Sequence, residues 1–416
     1  MSSAIAIVNI GQLVTLAGPA RPRVGAELRE LGLIENAALL LSEGRIVAAG
    51  TNAELRAKIS PEAAVIDAEG GCVTPGFVDA HTHLVFAGNR AAEFEQRING
   101  ATYQQIAASG GGILRTVALT RAATEDQLLA AARKHRDWML RSGTTTIEAK
   151  SGYGLDHATE MKILRVLARL NAEGPATIVP TLLAAHAVPP EFAHHREEYV
   201  RWIAEELIPE VAAAGLARYC DVFCDESAFT VQEAYKVLTA AIENGLGLRV
   251  HADQFKSGNG AVMASILGAA TADHLEAIED EDIYHLWTAG TQPVLLPGSV
   301  FALGRTQYPP ARKMVEAGLA IVVATDFNPG SSPIASMPFV LSLASLQMGL
   351  LPAEALTAAT INAAWSLGMG NRIGSLETGK QADLLIYECG DYRELAYYIA
   401  APIRPRVFIA GREVVL

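Results

Sequence analysis

Residues 75–83 read Pro75-Gly76-Phe77-Val78-Asp79-Ala80-His81-Thr82-His83 and close the first long β-branched run, Val73–His83. Alternate residues of a strand project from one face, so His81 and His83 at its end can approach the same metal ion. Working outward, the chain alternates short strand-like runs with helical segments. After an insertion containing Gly110, Gly111 and Gly112, Thr124 with Gln127 three residues on predicts a capping box, and the helix it opens stops at Gly143. Thr144–Lys150, Thr177–His186, Asp221–Asp225, Gly247–Asp253, Ala272–Leu275, Thr291–Leu296 and Ala320–Asp326 follow as strands. Between them lie helical stretches from Asp156 to about Leu170, Glu191–Ala214, Val231–Gly245, a short one from Ala261, Glu279–Gly290 and Pro310–Gly318. Eight such alternations predict an α/β protein with a (β/α)₈ TIM-type barrel over residues 73–373. The two ends have another texture: Ala4–Ile10, Leu13–Leu16, Ala37–Leu41, Ile46–Ala49 and Ala63–Ile66, then Ala382–Tyr387, Arg406–Ile409 and Val414–Leu416. They predict a small β-sandwich domain assembled from residues 1–72 and 374–416.

Composition narrows the function. The 416 residues are 50% hydrophobic and 19% charged, as expected of a well-packed enzyme. A formal charge of −12 disfavours a nucleic-acid partner. No basic segment leads into an apolar core at the start, and no apolar run is long enough to span a bilayer, so neither a secretory signal nor a membrane partner is expected. Cys72, Cys220, Cys224 and Cys389 follow no disulfide framework, which suits a reduced cytoplasmic protein.

In a parallel barrel, catalytic groups gather at the carboxyl ends of the strands. His81 and His83 end the first strand, His186 the third, His251 the fifth, His274 the sixth and Asp326 the eighth. A lone histidine is usually structural, but five of them with an aspartate at equivalent strand ends point to a metal site. His135, His157, His194, His195 and His285 fall in helices or loops and read as surface residues. Arg90 lies just past the first strand and Tyr153 in a Gly-flanked turn after the second; alone they read as a loop arginine and a turn tyrosine. Asn328, Gly330 and Ser331 follow Asp326 in a turn whose exposed amides can meet polar atoms of a ligand, or which Pro329 and Pro333 merely stiffen.

The opening Pro75–His83 motif resembles that of the amidohydrolase superfamily, and Ile373-Gly-Ser-Leu-Glu-Thr-Gly-Lys-Gln-Ala-Asp383 resembles its closing signature. More narrowly, Phe86-Ala-Gly-Asn-Arg90, Gly110-Gly-Gly-Ile113, Glu148-Ala-Lys-Ser-Gly-Tyr-Gly154, Asp221-Val-Phe-Cys-Asp225, His251-Ala-Asp-Gln254 and Thr325-Asp-Phe-Asn-Pro-Gly330 resemble, in order, the imidazolonepropionase family. The resemblance implies one Zn2+ or Fe3+ per chain held by His81, His83, His251 and Asp326. It also implies a homodimer, a small-molecule substrate, and hydrolysis of 4-imidazolone-5-propanoate to N-formimidoyl-L-glutamate in L-histidine degradation. In that setting Asp326 serves as base and His274 binds water or polarises the carbonyl. Arg90, Tyr153, His186, Gln254, Asn328, Gly330 and Ser331 form the substrate site. Binuclear relatives bridge their ions with a carboxylated lysine ending the fourth strand; here Lys150 ends the second, which favours one metal. Deaminating relatives carry His-x-x-Glu where this chain has His251-Ala-Asp-Gln254, and an amide cannot shuttle a proton. An aminohydrolase, which would release ammonia, is therefore the weaker enzyme reading. A metal-free scaffold is weaker still, because all four ligands are present.

Overall fold

The structure, a computed structural model, describes residues 4–101, 105, 110–225 and 228–415. Leu416, expected in the last strand, lies outside the described residues. Two eight-stranded sheets organise the rest.

The terminal sheet takes β1 (Ile5–Val14), β2 (Leu33–Ser42), β3 (Arg45–Thr51), β4 (Ala64–Asp67) and β5 (Cys72–Pro75) from one end of the chain. It takes β14 (Leu384–Tyr387), β15 (Arg406–Ile409) and β16 (Arg412–Val414) from the other. Its order is β16-β15-β14-β5-β1-β2-β3, with β4 also beside β1. Ile46 N donates to Lys380 O at 2.9 Å and Gly379 N to Ile46 O at 2.8 Å, so the far strand folds back toward the start of β14. The fold encloses Ile7, Leu13, Leu39, Ile46, Val73, Leu384 and Phe408. The runs expected as two strands, Ala4–Ile10 and Leu13–Leu16, are one strand whose pairing with β2 shifts register between Ile7 and Ile10.

The second sheet is the barrel: β6 (Phe77–Asp79), β7 (Thr144–Lys150), β8 (Thr177–Ala185), β9 (Tyr219–Cys224), β10 (Gly247–Ala252), β11 (Thr271–His274), β12 (Gln292–Leu295) and β13 (Val322–Val323). Neighbours pair in parallel and in chain order. The circle closes between first and last: Asp326 N donates to His81 O at 3.0 Å and His83 N to Phe327 O at 2.9 Å. Helices cross between strands as expected, and Thr124 and Gln127 make the reciprocal capping box of helix Glu125–Arg141.

Four expectations change. The run Val73–His83 is broken at Gly76: β5 pairs with β1 and β14 in the terminal sheet, and only β6 belongs to the barrel. Glu191–Ala214 is interrupted, with helices at Arg196–Trp202 and Ile208–Ala213 separated by a wider π turn. His135 is buried rather than at the surface; its Nδ1 lies 2.9 Å from Leu84 O and its ring stacks on Phe86. Helices Met337–Met348, Pro352–Ala358 and Ile361–Ser366, which the periodicity did not announce, carry the chain back to the terminal sheet. No helix among the described residues is long and apolar enough to cross a membrane.

Gly76 makes the crossing between sheets possible. A Cβ there would lie 2.3 Å from Thr145 Oγ1 and 2.5 Å from Thr145 Cγ2, on the adjacent strand. Gly76→Ala is expected to lower stability by about 1–3 kcal/mol, as overpacking in a dense core does. A urea unfolding midpoint measures this, and Thr145→Ala in the same chain is expected to restore part of the loss.

Candidate metal centre and active-site cavity

The closure of the barrel brings the first and eighth strand ends together, and with them three of the expected ligands. Asp326 Oδ1 lies 3.6 Å from His81 Nε2 and 3.5 Å from His83 Nε2. His81, His251 and His274 offer ligand atoms within 4.8 Å of one another, and so do His81, His83 and Asp326. Both groups share His81, so they outline one centre rather than two. All five side chains are buried.

Two of the imidazoles, His81 and His251, are aimed by a carboxylate behind them, whereas His83 Nδ1 has no hydrogen-bond partner among the described residues. His81 Nδ1 lies 2.6 Å from Asp273 Oδ2, and His251 Nδ1 lies 3.0 Å from Asp221 Oδ2. The opposite nitrogens, His81 Nε2 and His251 Nε2, are buried without a hydrogen-bond partner among the described residues. Buried polar atoms are rarely left so. Two orphaned nitrogens converging beside a carboxylate fit a metal ion, and a carboxylate behind a ligating histidine, as His81 and His251 have, is how such sites fix the tautomer. Burial holds His81 well below the usual histidine range and lowers His83, which keeps both neutral as ligation requires. Burial alone would raise Asp326, but the His83 hydrogen bond and the charge of His274 outweigh it and keep it ionised. Burial would lower His274, yet Glu276, 3.4 Å from its Nδ1, draws it upward.

Lys150 sits under the site rather than in it. Its Nζ is 2.8 Å from Glu148 Oε1, 2.9 Å from Asp221 Oδ2 and 3.8 Å from Asp273 Oδ2, and it is fully buried. It binds the two aspartates that aim His81 and His251. Arg249, also fully buried, joins the same cluster and donates to Ala80 O at 2.8 Å.

Above the centre opens a cavity of about 890 Å³. His83, His251, His274 and Asp326 form part of its lining, together with Arg90, Tyr153, His186, Gln254, Asn328, Gly330 and Ser331. The His186 ring stacks on His83 with centroids 5.0 Å apart, and its Nδ1 is 3.0 Å from Gly152 O. Burial holds His186 well below its usual pKa and raises that of Tyr153.

The turn after Asp326 differs from expectation. The amides of Gly330 and Ser331 do not face outward; both donate to Asn328 Oδ1 at 2.8 Å. Asn328 Nδ2 in turn donates to Asp326 O at 2.6 Å, so this residue shapes the turn. Ser331 Oγ stays 3.4 Å from Asp326 Oδ2.

Sequence reasoning missed the carboxylates that hold these pieces. Glu160 is fully buried and accepts from the amides of Gly152, Gly154 and Leu155, which fixes the turn that carries Tyr153. Its position on the helix after that turn was the available signal. Glu148, Asp221 and Asp273 lie inside strands; the first two open motif blocks that gave them no role, and for Asp273 the only signal is a charge at an inward position.

The Amidohydrolase family model matches residues 72–414. An imidazolonepropionase of Solibacter usitatus is 54% identical over 98% of this chain and 97% of its own length. One of Symbiobacterium thermophilum is 46% identical over 98% and 96%. Among solved structures, a Xanthomonas campestris adenosine deaminase with bound zinc gives a TM-score of 0.73 at 20% identity, covering 99% of this chain and 92% of that one. A 5-methylcytosine deaminase from Klebsiella pneumoniae gives 0.73 at 17% identity, covering 99% and 98%. At such identities the two deaminases speak to the fold alone.

Removing the carboxylate behind His81 tests the centre. Asp273→Ala is expected to weaken metal binding by about 10–100-fold, the usual effect of losing such a partner. Competition with a chelator measures it, and unchanged affinity in a folded variant would count against a metal at His81.

Proposed function

The chain belongs to the amidohydrolase family, and from that premise we propose that it hydrolyses the ring amide C–N bond of 4-imidazolone-5-propanoate, giving N-formimidoyl-L-glutamate in L-histidine degradation. The observation that carries this reading is identity of 54% to an imidazolonepropionase along nearly the whole of both chains. His81, His83, His251 and Asp326 would hold a single zinc or ferric ion. When bound, that ion supplies Lewis acidity, making water nucleophilic near neutral pH and polarising an amide carbonyl.

The remaining work falls to the side chains. Asp326 has two differently placed oxygens: Oδ1 faces His81 and His83, while Oδ2 lies nearer Ser331. Oδ1 would be the oxygen offered to the ion, leaving Oδ2 to take the proton from the attacking water and return it to the leaving ring nitrogen. His274 donates to the carbonyl oxygen as negative charge develops there. Arg90 clamps the propanoate, and Tyr153, whose hydroxyl keeps its proton, donates to the same end of the substrate. His186 meets the ring. Gln254 orients the substrate through its amide and cannot serve as the proton shuttle that expulsion of ammonia needs. Asn328, Gly330 and Ser331 complete the wall beside Asp326.

Four free cysteines favour a cytoplasmic protein, and the family resemblance favours a homodimer.

Freshly made 4-imidazolone-5-propanoate is expected to lose its ring absorbance on adding the protein, with N-formimidoyl-L-glutamate as product and no ammonia. Because the substrate decays spontaneously, the rate is compared with that of His83→Ala. Equal rates for both proteins, or ammonia in the product, would sink the assignment. Asp326→Asn is expected to abolish kcat, whereas Arg90→Ala raises KM with a smaller effect on kcat, as loss of uniform binding does.

A further inference from the structure

Arg90 has neighbours that do more than neutralise it. It is the N-cap of helix Ala91–Ile98, and Glu93 lies three residues on, buried to 6% exposure. Glu93 Oε2 accepts from Arg90 Nε at 2.8 Å and from Gly112 N at 3.1 Å. One carboxylate therefore joins the arginine, its helix and the end of the Gly110–Gly112 run. The guanidinium also lies against Gly330: a Cβ there would be 2.1 Å from Nη1 and 3.3 Å from Nη2. With Nε engaged by Glu93, the donors left for a ligand are those of Nη1 and Nη2. Two parallel N–H donors of this kind match the two oxygens of a carboxylate.

We propose that Glu93 is a positioning residue that locks the Arg90 fork edge-on to the cavity, and so makes the site select a carboxylate over a neutral group of the same shape. This rests on reading Arg90 as the carboxylate clamp. The opposing effect is electrostatic. Glu93 partly cancels the charge of Arg90, so if charge alone governed binding, removing Glu93 would strengthen the hold on an anion. If orientation governs, removal weakens it, because a freed guanidinium must be ordered again each time a ligand binds. The two views predict opposite signs.

The experiment uses the metal-loaded full chain and two stable probes, 3-(imidazol-4-yl)propanoate and its methyl ester. Calorimetry gives the ratio of ester to acid Kd for each variant. Arg90→Ala is expected to abolish the preference for the acid. Glu93→Ala is expected to cut it about tenfold, roughly the worth of one charge-assisted hydrogen bond. Glu93→Gln, whose amide oxygen still accepts from Nε, keeps an intermediate preference and serves as the conservative variant if Glu93→Ala folds poorly. In turnover, both Glu93 variants raise KM and leave kcat within about twofold, the mark of lost binding rather than lost chemistry. The double variant discriminates no worse than Arg90→Ala alone. If Arg90→Ala keeps the preference, the clamp reading fails and the proposal with it. If Arg90→Ala abolishes it while both folded Glu93 variants retain or increase it, the clamp stands and the role of Glu93 is overturned.

Discussion

Inside the barrel, beneath the candidate ligand histidines, Lys150 is packed against Glu148, Asp221 and Asp273, with Arg249 beside them, and none of the five is exposed to solvent. Burying an unpaired charge is severely unfavourable, and a buried pair is tolerated only when its hydrogen bonds are also met. This cluster therefore has very few acceptable arrangements. Asp221 and Asp273 must face Lys150, and in doing so they present their carboxylates to His251 and His81. Lys150 is the hub: burial would lower its pKa, but Asp221 and Glu148 outweigh burial and hold it cationic. The geometry of the ligand set follows from the ionic layer below it.

The same constraint reaches the rim through the closing seam of the barrel. Glu148 Oε2 accepts from Thr82 N at 3.2 Å and Thr82 Oγ1 donates to Glu148 O at 2.7 Å, so the His81-Thr82-His83 segment is pinned to β7. On its other side it bonds to Asp326 and Phe327. Closing the barrel and assembling the centre are one geometric event. The backbone records the demand: His274 has φ 82° and Asp326 φ 53°, left-handed conformations that cost non-glycine residues about 1–3 kcal/mol each. Surroundings as tightly determined as these can hold such residues in place.

Much of this was legible in the chain, because strand ends and alternation are local signals. His81, His83, His251, His274 and Asp326 each end a short strand-like run, and a barrel converts that shared position into proximity. The change of sheet at Gly76 was missed because the run is apolar and buried on both sides of it, although Pro75-Gly76 in its middle is a break signal. The three helices after Asp326 escaped because their buried faces are nearly continuous, as in Met337–Met348, where residues on every side pack inward. Glu93 and Glu160 were invisible for a different reason. Their partners are mainly backbone amides and a single arginine, and neither leaves a spacing pattern in sequence.

Those carboxylates bear on why position 254 is an amide. Glu93 is engaged by Arg90 and the Gly112 amide, and Asp225 Oδ2 accepts from the Phe255 amide at 3.1 Å. The carboxylates that line the cavity are thus tied to donors, and Asp326 faces histidines. A glutamate at 254 would add a negative group beside a substrate that already carries a propanoate. Hydrolysis then makes the conflict worse, because the ring carbonyl becomes a second carboxylate and a like charge nearby disfavours the ionised product. A deaminase faces no such cost, since its ring gains no charge of that kind, and it needs the glutamate to move protons. In the proposed ring opening the proton passes through Asp326, so position 254 is free to be neutral. Gln254 keeps the hydrogen-bonding shape of glutamate and removes the charge, which suits a cavity whose proposed product is a dicarboxylate.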